Sequence, residues 1–289
     1  MILTAALVFE VTAAGAGISW TRDHVQAFRE AEERRAPVLV VFQGSDCGRR
    51  SAPGEIDRGL PAHDTALTDC ERMQQDVWDS PRITEASARF IAVLADGGDR
   101  TLQTRYQVIV NPSALLLDPW GNEVFRVSGY LEPQKMVRVL EALPTDFAGL
   151  TPHGKALQKD ARDLRALMGA AAFYEGVGLR QVSERLYDQA AHAPSGTGDP
   201  AVRREAAIAR GLNLLFMKRA AEAAKVFEAA VAEAPQATGT DILLLGLVNA
   251  HLTLGKKRDA EQVYARLSRD FADSPYTRKA RQNIDGFRP

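Results

Sequence analysis

Cysteine is nearly absent from this chain of 289 residues, which holds only Cys47 and Cys70. That excludes a disulfide-rich scaffold and permits one bridge. No charge of either sign dominates: the formal net charge is −1. Nothing in that balance favours nucleic acid or acidic membrane. His24, His63, His153, His192 and His251 are scattered without metal-ligand spacing. His63-Asp64, between the cysteines, is a weak pair of candidate donors, and no metal or other cofactor is expected. No Gly-rich phosphate loop, nucleotide fingerprint or Ser-His-Asp spacing occurs. What remains is an ordinary globular composition, 45% apolar and 25% charged. The length allows roughly two domains.

Residues 1–19 support two readings. MILTAALVF is apolar, and Ala14-Gly15-Ala16 resembles a small-residue cleavage site. Yet no Lys or Arg precedes the run, and Glu10 interrupts it. An exported protein with a signal segment and a cytoplasmic one with an N-terminal strand or tail both stay open. The stretch is too short and too polar to span a bilayer.

The chain is organised around residues 37–73. Pro37 to Gln43 is an apolar, β-branched run that predicts a buried strand. A helix before it, capped by Thr21, carries Val25, Phe28 and Ala31 at helical spacing. Residues 44–67 hold four Gly and two Pro without periodicity and predict a long loop. Thr68-Asp69-Cys70-Glu71 fits a capping box, placing Cys70 in a first helical turn. The dipole of that helix predicts a lowered thiol pKa at Cys70. Further strands are predicted at 90–94, 113–117 and 123–127, and helices at 81–89, 100–106 and 132–143. This order gives a central mixed sheet with helices on both faces, an α/β domain.

Residues 20–143 resemble the thioredoxin fold, and most nearly the thioredoxin-like domains of membrane thiol:disulfide interchange proteins. The resemblance rests on Trp20, the strand Ala36-Pro37-Val38-Leu39-Val40-Val41-Phe42, Cys47, Cys70 with Met73, Trp78-Asp79-Ser80-Pro81, Asn111-Pro112 and Gly129-Tyr130. It implies a nucleophilic role for Cys47, a second-cysteine role for Cys70 and a cis peptide at Pro112. These three are the candidate catalytic residues. The departure is plain. Gly48-Arg49-Arg50 follows Cys47, so Arg50 stands where Cys-x-x-Cys has its second cysteine. Three readings compete. Cys47 and Cys70 meet as a redox pair or structural bridge, Cys47 acts as a lone thiol, or the domain binds partners without chemistry. A bridge closing so long a loop would stabilise the fold by about 3 kcal/mol in the chain-entropy model.

Residues 144–156, with two Pro and two Gly, read as a linker. From 157 to 289 the chain is alanine-rich and helical, and its segments resemble tetratricopeptide repeats. Gly211, Ala223, Phe227, Ala230 and Pro235 sit on that family's small, aromatic and closing positions. Tyr187, Phe227 and Tyr264 mark equivalent places, and Ser274-Pro275 opens a covering helix. The resemblance implies a groove for a protein or peptide, with Glu175, Glu205, Ile208, Leu212, Asn249 and Leu252 facing it. The whole therefore reads as a thioredoxin-like adaptor with a degenerate thiol site. The alternative is a thiol–disulfide oxidoreductase using Cys47 and Cys70 across the inserted loop.

Overall fold

The computed structural model describes residues 17–43, 68–96, 100–193 and 199–288. These fall into two compact units. The first takes in the chain up to Leu117 and Phe125–Ala142; the second takes in Asp118–Val124 and everything from Leu143.

The first unit is a five-stranded mixed sheet. Its strands are β1 (Trp20–Thr21), β2 (Val38–Gln43), β3 (Ile91–Asp96), β4 (Ser113–Leu117) and β5 (Glu123–Ser128), in the spatial order β1-β3-β2-β4-β5. β3 runs parallel to both β1 and β2, and β4 runs antiparallel to β2. Val38 to Phe42 are fully buried on both faces of the sheet. A strand so covered reads as a continuous apolar run, which is why PVLVVFQ was legible.

Helix α1 (His24–Arg34) covers one face with Ala27, Phe28 and Ala31, packed against Val38, Val40 and Phe42. Its cap is Asp23, not Thr21: the Asp23 carboxylate accepts the Gln26 N–H. Trp20 and Thr21 are held in β1 instead, opposite Ala92 and Val93. The inward stripe shifts accordingly, and Val25 is left exposed. The regular helix α2 (Asp69–Arg72) begins at the expected capping box. Thr68 Oγ1 accepts the Glu71 N–H, and Glu71 accepts the Thr68 N–H. It continues as a π-helical stretch, Met73–Trp78, which puts Met73, Val77 and Trp78 in the core. Helices α3 (Pro81–Ser87), α4 (Arg100–Tyr106) and α5 (Pro133–Ala142) complete the unit.

In the second unit, residues 144–156 are not an open connector. Phe147 and Leu150 are fully buried, a 3-10 turn spans Ala148–Leu150, and helix α6 runs over Thr151–Lys159. Pro152 sits in the first turn, where its missing N–H costs nothing. Gly154 lies under the Trp120 ring: a Cβ there would be 2.2 Å from the indole. Both residues resemble linker punctuation, and both are helix residues here.

Three helical pairs follow: α7 (Leu164–Gly176) with α8 (Arg180–Ala191), α9 (Pro200–Phe216) with α10 (Ala220–Glu233), and α11 (Thr240–Thr253) with α12 (Lys257–Asp270). Helix α13 (Pro275–Asp285) packs on the last pair. Ser183, Ala223 and Ala260, at equivalent places, are all fully buried. The Phe227 ring is wedged between two helices: Cβ atoms at Gly211 and Gly246 would stand 2.2 and 2.5 Å from it. Small residue and aromatic thus fit as one unit. Phe227→Ala is expected to destabilise the protein by about 3–5 kcal/mol, and Gly246→Val by about 1–3 kcal/mol through overpacking. Urea unfolding followed by circular dichroism checks both.

Asp118 is the buried charge of this unit. Its carboxylate accepts the Trp120 and Asn122 backbone N–H groups and the Asn122 side-chain amide, each at 2.9 Å, and the Tyr174 hydroxyl at 3.3 Å. Burial outweighs these bonds and raises its pKa to about 6. The folded state therefore holds the proton more tightly than the unfolded chain does. The associated stability is fully present below the unfolded pKa, near 4, and is lost as pH rises through about 6. Between pH 7.5 and 4 the wild type is expected to gain about 2–3 kcal/mol relative to Asp118→Asn. Urea titrations of both proteins across that range check it.

Candidate functional site

Cys70 lies one residue into α2, half-buried, and is disulfide-bonded. No free cysteine occurs among the described residues. Cys47 lies outside the described residues. A bonded sulfur has no thiol to titrate, so the lowered pKa expected of the Cys70 thiol concerns only the protein with this bridge opened.

Pro112, the third candidate, is buried, and the Asn111–Pro112 peptide is cis, as the resemblance implied. Its carbonyl accepts the Gly129 N–H at 2.8 Å. That bond joins the start of β4 to Gly129, Tyr130 and Leu131, which follow β5. These three residues in turn lie along the helix that carries Cys70. The Tyr130 N–H points to the Asp69 carboxylate at 3.4 Å, and the Tyr130 hydroxyl donates to Asp76 at 3.0 Å. The Arg72 guanidinium stacks 3.6 Å above the Tyr130 ring, and the Leu131 N–H donates to Met73 Sδ at 3.5 Å. Burial and then the Asp76 carboxylate raise the Tyr130 phenol pKa, so the hydroxyl stays a donor at neutral pH. The structure thus brings Pro112 within one strap of Cys70. Ile109 and Val110, exposed at 94% and 47%, stand in the loop before the cis peptide. Sequence reasoning passed over them, although two branched apolar residues before Asn-Pro were a usable signal.

Behind the Cys70 helix, Trp20 and Trp78 meet edge to face with centroids 5.7 Å apart. The buried Trp78 Nε1 has no hydrogen-bond partner among the described residues. Gln74 links Gln43, the last residue of β2, to Asp79.

The six groove candidates divide. Glu205 and Leu212 are exposed on α9, and Ile208 is half-buried against the core there. Glu175 is half-buried: it pairs with Arg180 at 3.2 Å and accepts the Tyr187 hydroxyl at 3.1 Å. The Asn249 amide oxygen accepts Asn283 Nδ2 at 2.7 Å from α13. Leu252, expected to face the groove, is instead buried in the repeat core. Helix α11 is apolar on most of its circumference, so its periodicity did not identify an open face. Phe216, missed by sequence reasoning, is 65% exposed one turn beyond Leu212. The i, i+4 spacing of these two was the signal. Arg180 lies 4.6 Å over its ring.

Replacing the Thr68 cap by alanine tests the local build. Thr68→Ala removes the Oγ1 acceptor of the Glu71 N–H and is expected to cost about 1 kcal/mol. Urea unfolding of the oxidised protein measures it.

Two family models match the chain. One, described as a Thioredoxin-like domain, covers residues 61–144; the other, described as a Tetratricopeptide repeat, covers residues 214–284. The first span takes in Cys70 and Pro112 and begins after Cys47. No curated protein matches. A solved structure titled "DsbH Oxidoreductase" is 16% identical, with coverage of 48% of this chain and 96% of that one, at a TM-score of 0.33. On the two family matches and the fold, the chain carries a thioredoxin-like domain followed by tetratricopeptide repeats.

Proposed function

We propose that this chain is a protein-binding adaptor whose repeats engage a polypeptide and whose thioredoxin-like domain carries an altered thiol site. One observation carries the binding reading: Leu212 at 37% and Phe216 at 65% exposure stand one turn apart on α9. Large apolar side chains kept together in solvent mark an interaction surface. Glu205 lies on the same helix, and Glu175 and Arg180 add a polar rim beside Phe216. The face is therefore centred on α9 and the end of α7. Among the described residues, no helix is long and apolar enough to cross a membrane. Leu212→Glu with Phe216→Glu is expected to reduce capture of partner polypeptides from the native host's extract at least tenfold, without lowering the melting temperature. Equal capture by the double variant removes this face as the binding site.

A second reading, the thiol–disulfide oxidoreductase, is favoured by the disulfide at Cys70. The chain's only other cysteine is Cys47, so one intramolecular pairing is available. A thiol count before and after reduction, followed by catalysed reduction of insulin by dithiothreitol, separates the readings. Two released thiols without insulin reduction leave a structural bridge and the adaptor. Turnover that is lost in Cys70→Ser establishes the oxidoreductase.

A further inference from the structure

We infer that Tyr130 is a positioning residue for the Cys70 disulfide. This rests on the redox reading of that disulfide given above. Two consecutive residues, Tyr130 and Leu131, engage Asp69, Arg72, Met73 and Asp76, which form one stripe of the Cys70 helix beginning at the residue before Cys70. The contacts differ in kind: a long backbone bond to Asp69, a cation–ring stack on Arg72, a bond to buried Met73 sulfur, and a hydroxyl bond to Asp76. Together they restrain both the height and the rotation of the helix start. Gly129 allows the approach. It has φ +78°, a left-handed backbone conformation that favours glycine and turns the chain from β5 onto the Cys70 helix.

The regular part of this helix is only Asp69–Arg72 before the π-helical stretch begins. Met73, Val77 and Trp78 anchor the π-helical stretch in the core, whereas the regular turn that carries Cys70 has no buried residue of its own. The strap supplies that restraint from outside. It also engages Arg72, the nearest cation on the Cys70 helix, by stacking it on the phenol ring at 3.6 Å. Both effects act in the same direction. A restrained Cys70 favours the closed disulfide, and a cation held on the ring is withheld from the thiolate that reduction would create. Loss of Tyr130 therefore favours reduction.

The test is the equilibrium with glutathione. Two glutathione thiols give two electrons and two protons to the Cys70 disulfide, yielding two protein thiols and one glutathione disulfide. Tyr130→Ala is expected to lower the equilibrium constant for protein oxidation five- to tenfold, about 20–30 mV for a two-electron couple. Tyr130→Phe keeps the ring on Arg72 and loses only the Asp76 bond, so it is expected to fall about threefold; it also serves if the alanine variant does not fold. A change of less than twofold in both variants overturns the proposal. Should the wild type fail to equilibrate with glutathione at all, the redox reading fails by itself. The strap is then decided in the Cys47→Ser background, where Cys70 is the only thiol. There Tyr130→Ala is expected to speed iodoacetamide labelling of the native protein at least threefold, and an unchanged rate overturns the positioning role.

Discussion

The burial of β2 on both faces is the constraint from which the first unit follows. Five consecutive side chains, Val38 to Phe42, are removed from water entirely. Their backbone groups must then be paired on both edges, which β3 supplies in parallel and β4 in antiparallel. Their side chains need cover on both faces, which calls for helices above and below. Each apolar side chain so buried stabilises the fold by roughly 1.5–3 kcal/mol before the entropy of ordering is subtracted. A strand so held is a rigid platform. Gln43, the last residue of β2, hydrogen-bonds Gln74 on the Cys70 helix, so the platform and the helix are joined directly.

The repeat unit solves a different problem with small residues. Helices pair closely only where side chains are absent, and the gap below must then be filled. Gly211 and Gly246 make the space, and Phe227 fills it from the helix between them. Removing either part would leave a clash or a void, so glycine and aromatic are one feature. The same logic explains Gly154 beneath Trp120. In both places glycine serves close approach, not chain flexibility.

Legibility in the sequence followed the strength of each physical signal. The β2 run, the Thr68–Glu71 capping box, the five-residue strand Ser113–Leu117 and the aromatic positions Tyr187 and Phe227 were all readable, because each is set by local chemistry or strict spacing. Helix α6 was not, since Pro152 and Gly154 look like breaks until Trp120 is seen against the glycine. The cap of α1 was misread because Thr21 is drawn into the sheet by β3, a partner some seventy residues on. The open face of α11 was misassigned because a helix buried around most of its surface has no readable outer stripe. The contacts of Tyr130 with the Cys70 helix were also invisible: they join residues more than fifty apart through a stack and a hydroxyl, which no periodicity encodes.

The proposed alteration of the thiol site can be understood from what a Cys-x-x-Cys motif provides. There one helical turn keeps the second sulfur beside the first, and the motif carries its own geometry. Here Arg50 occupies the second position, and Cys70 stands alone on its helix. A disulfide to Cys70 then depends on how its helix start is held by the rest of the domain. The strap after β5 and the cis peptide before β4 are linked by the Gly129–Pro112 bond, and both are anchored in strands that the buried sheet fixes. On the positioning role inferred for Tyr130, orientation that the motif would supply locally comes instead through tertiary contacts. Such contacts can be lost one at a time without unfolding the sheet. That separates the tuning of the disulfide from the stability of the fold.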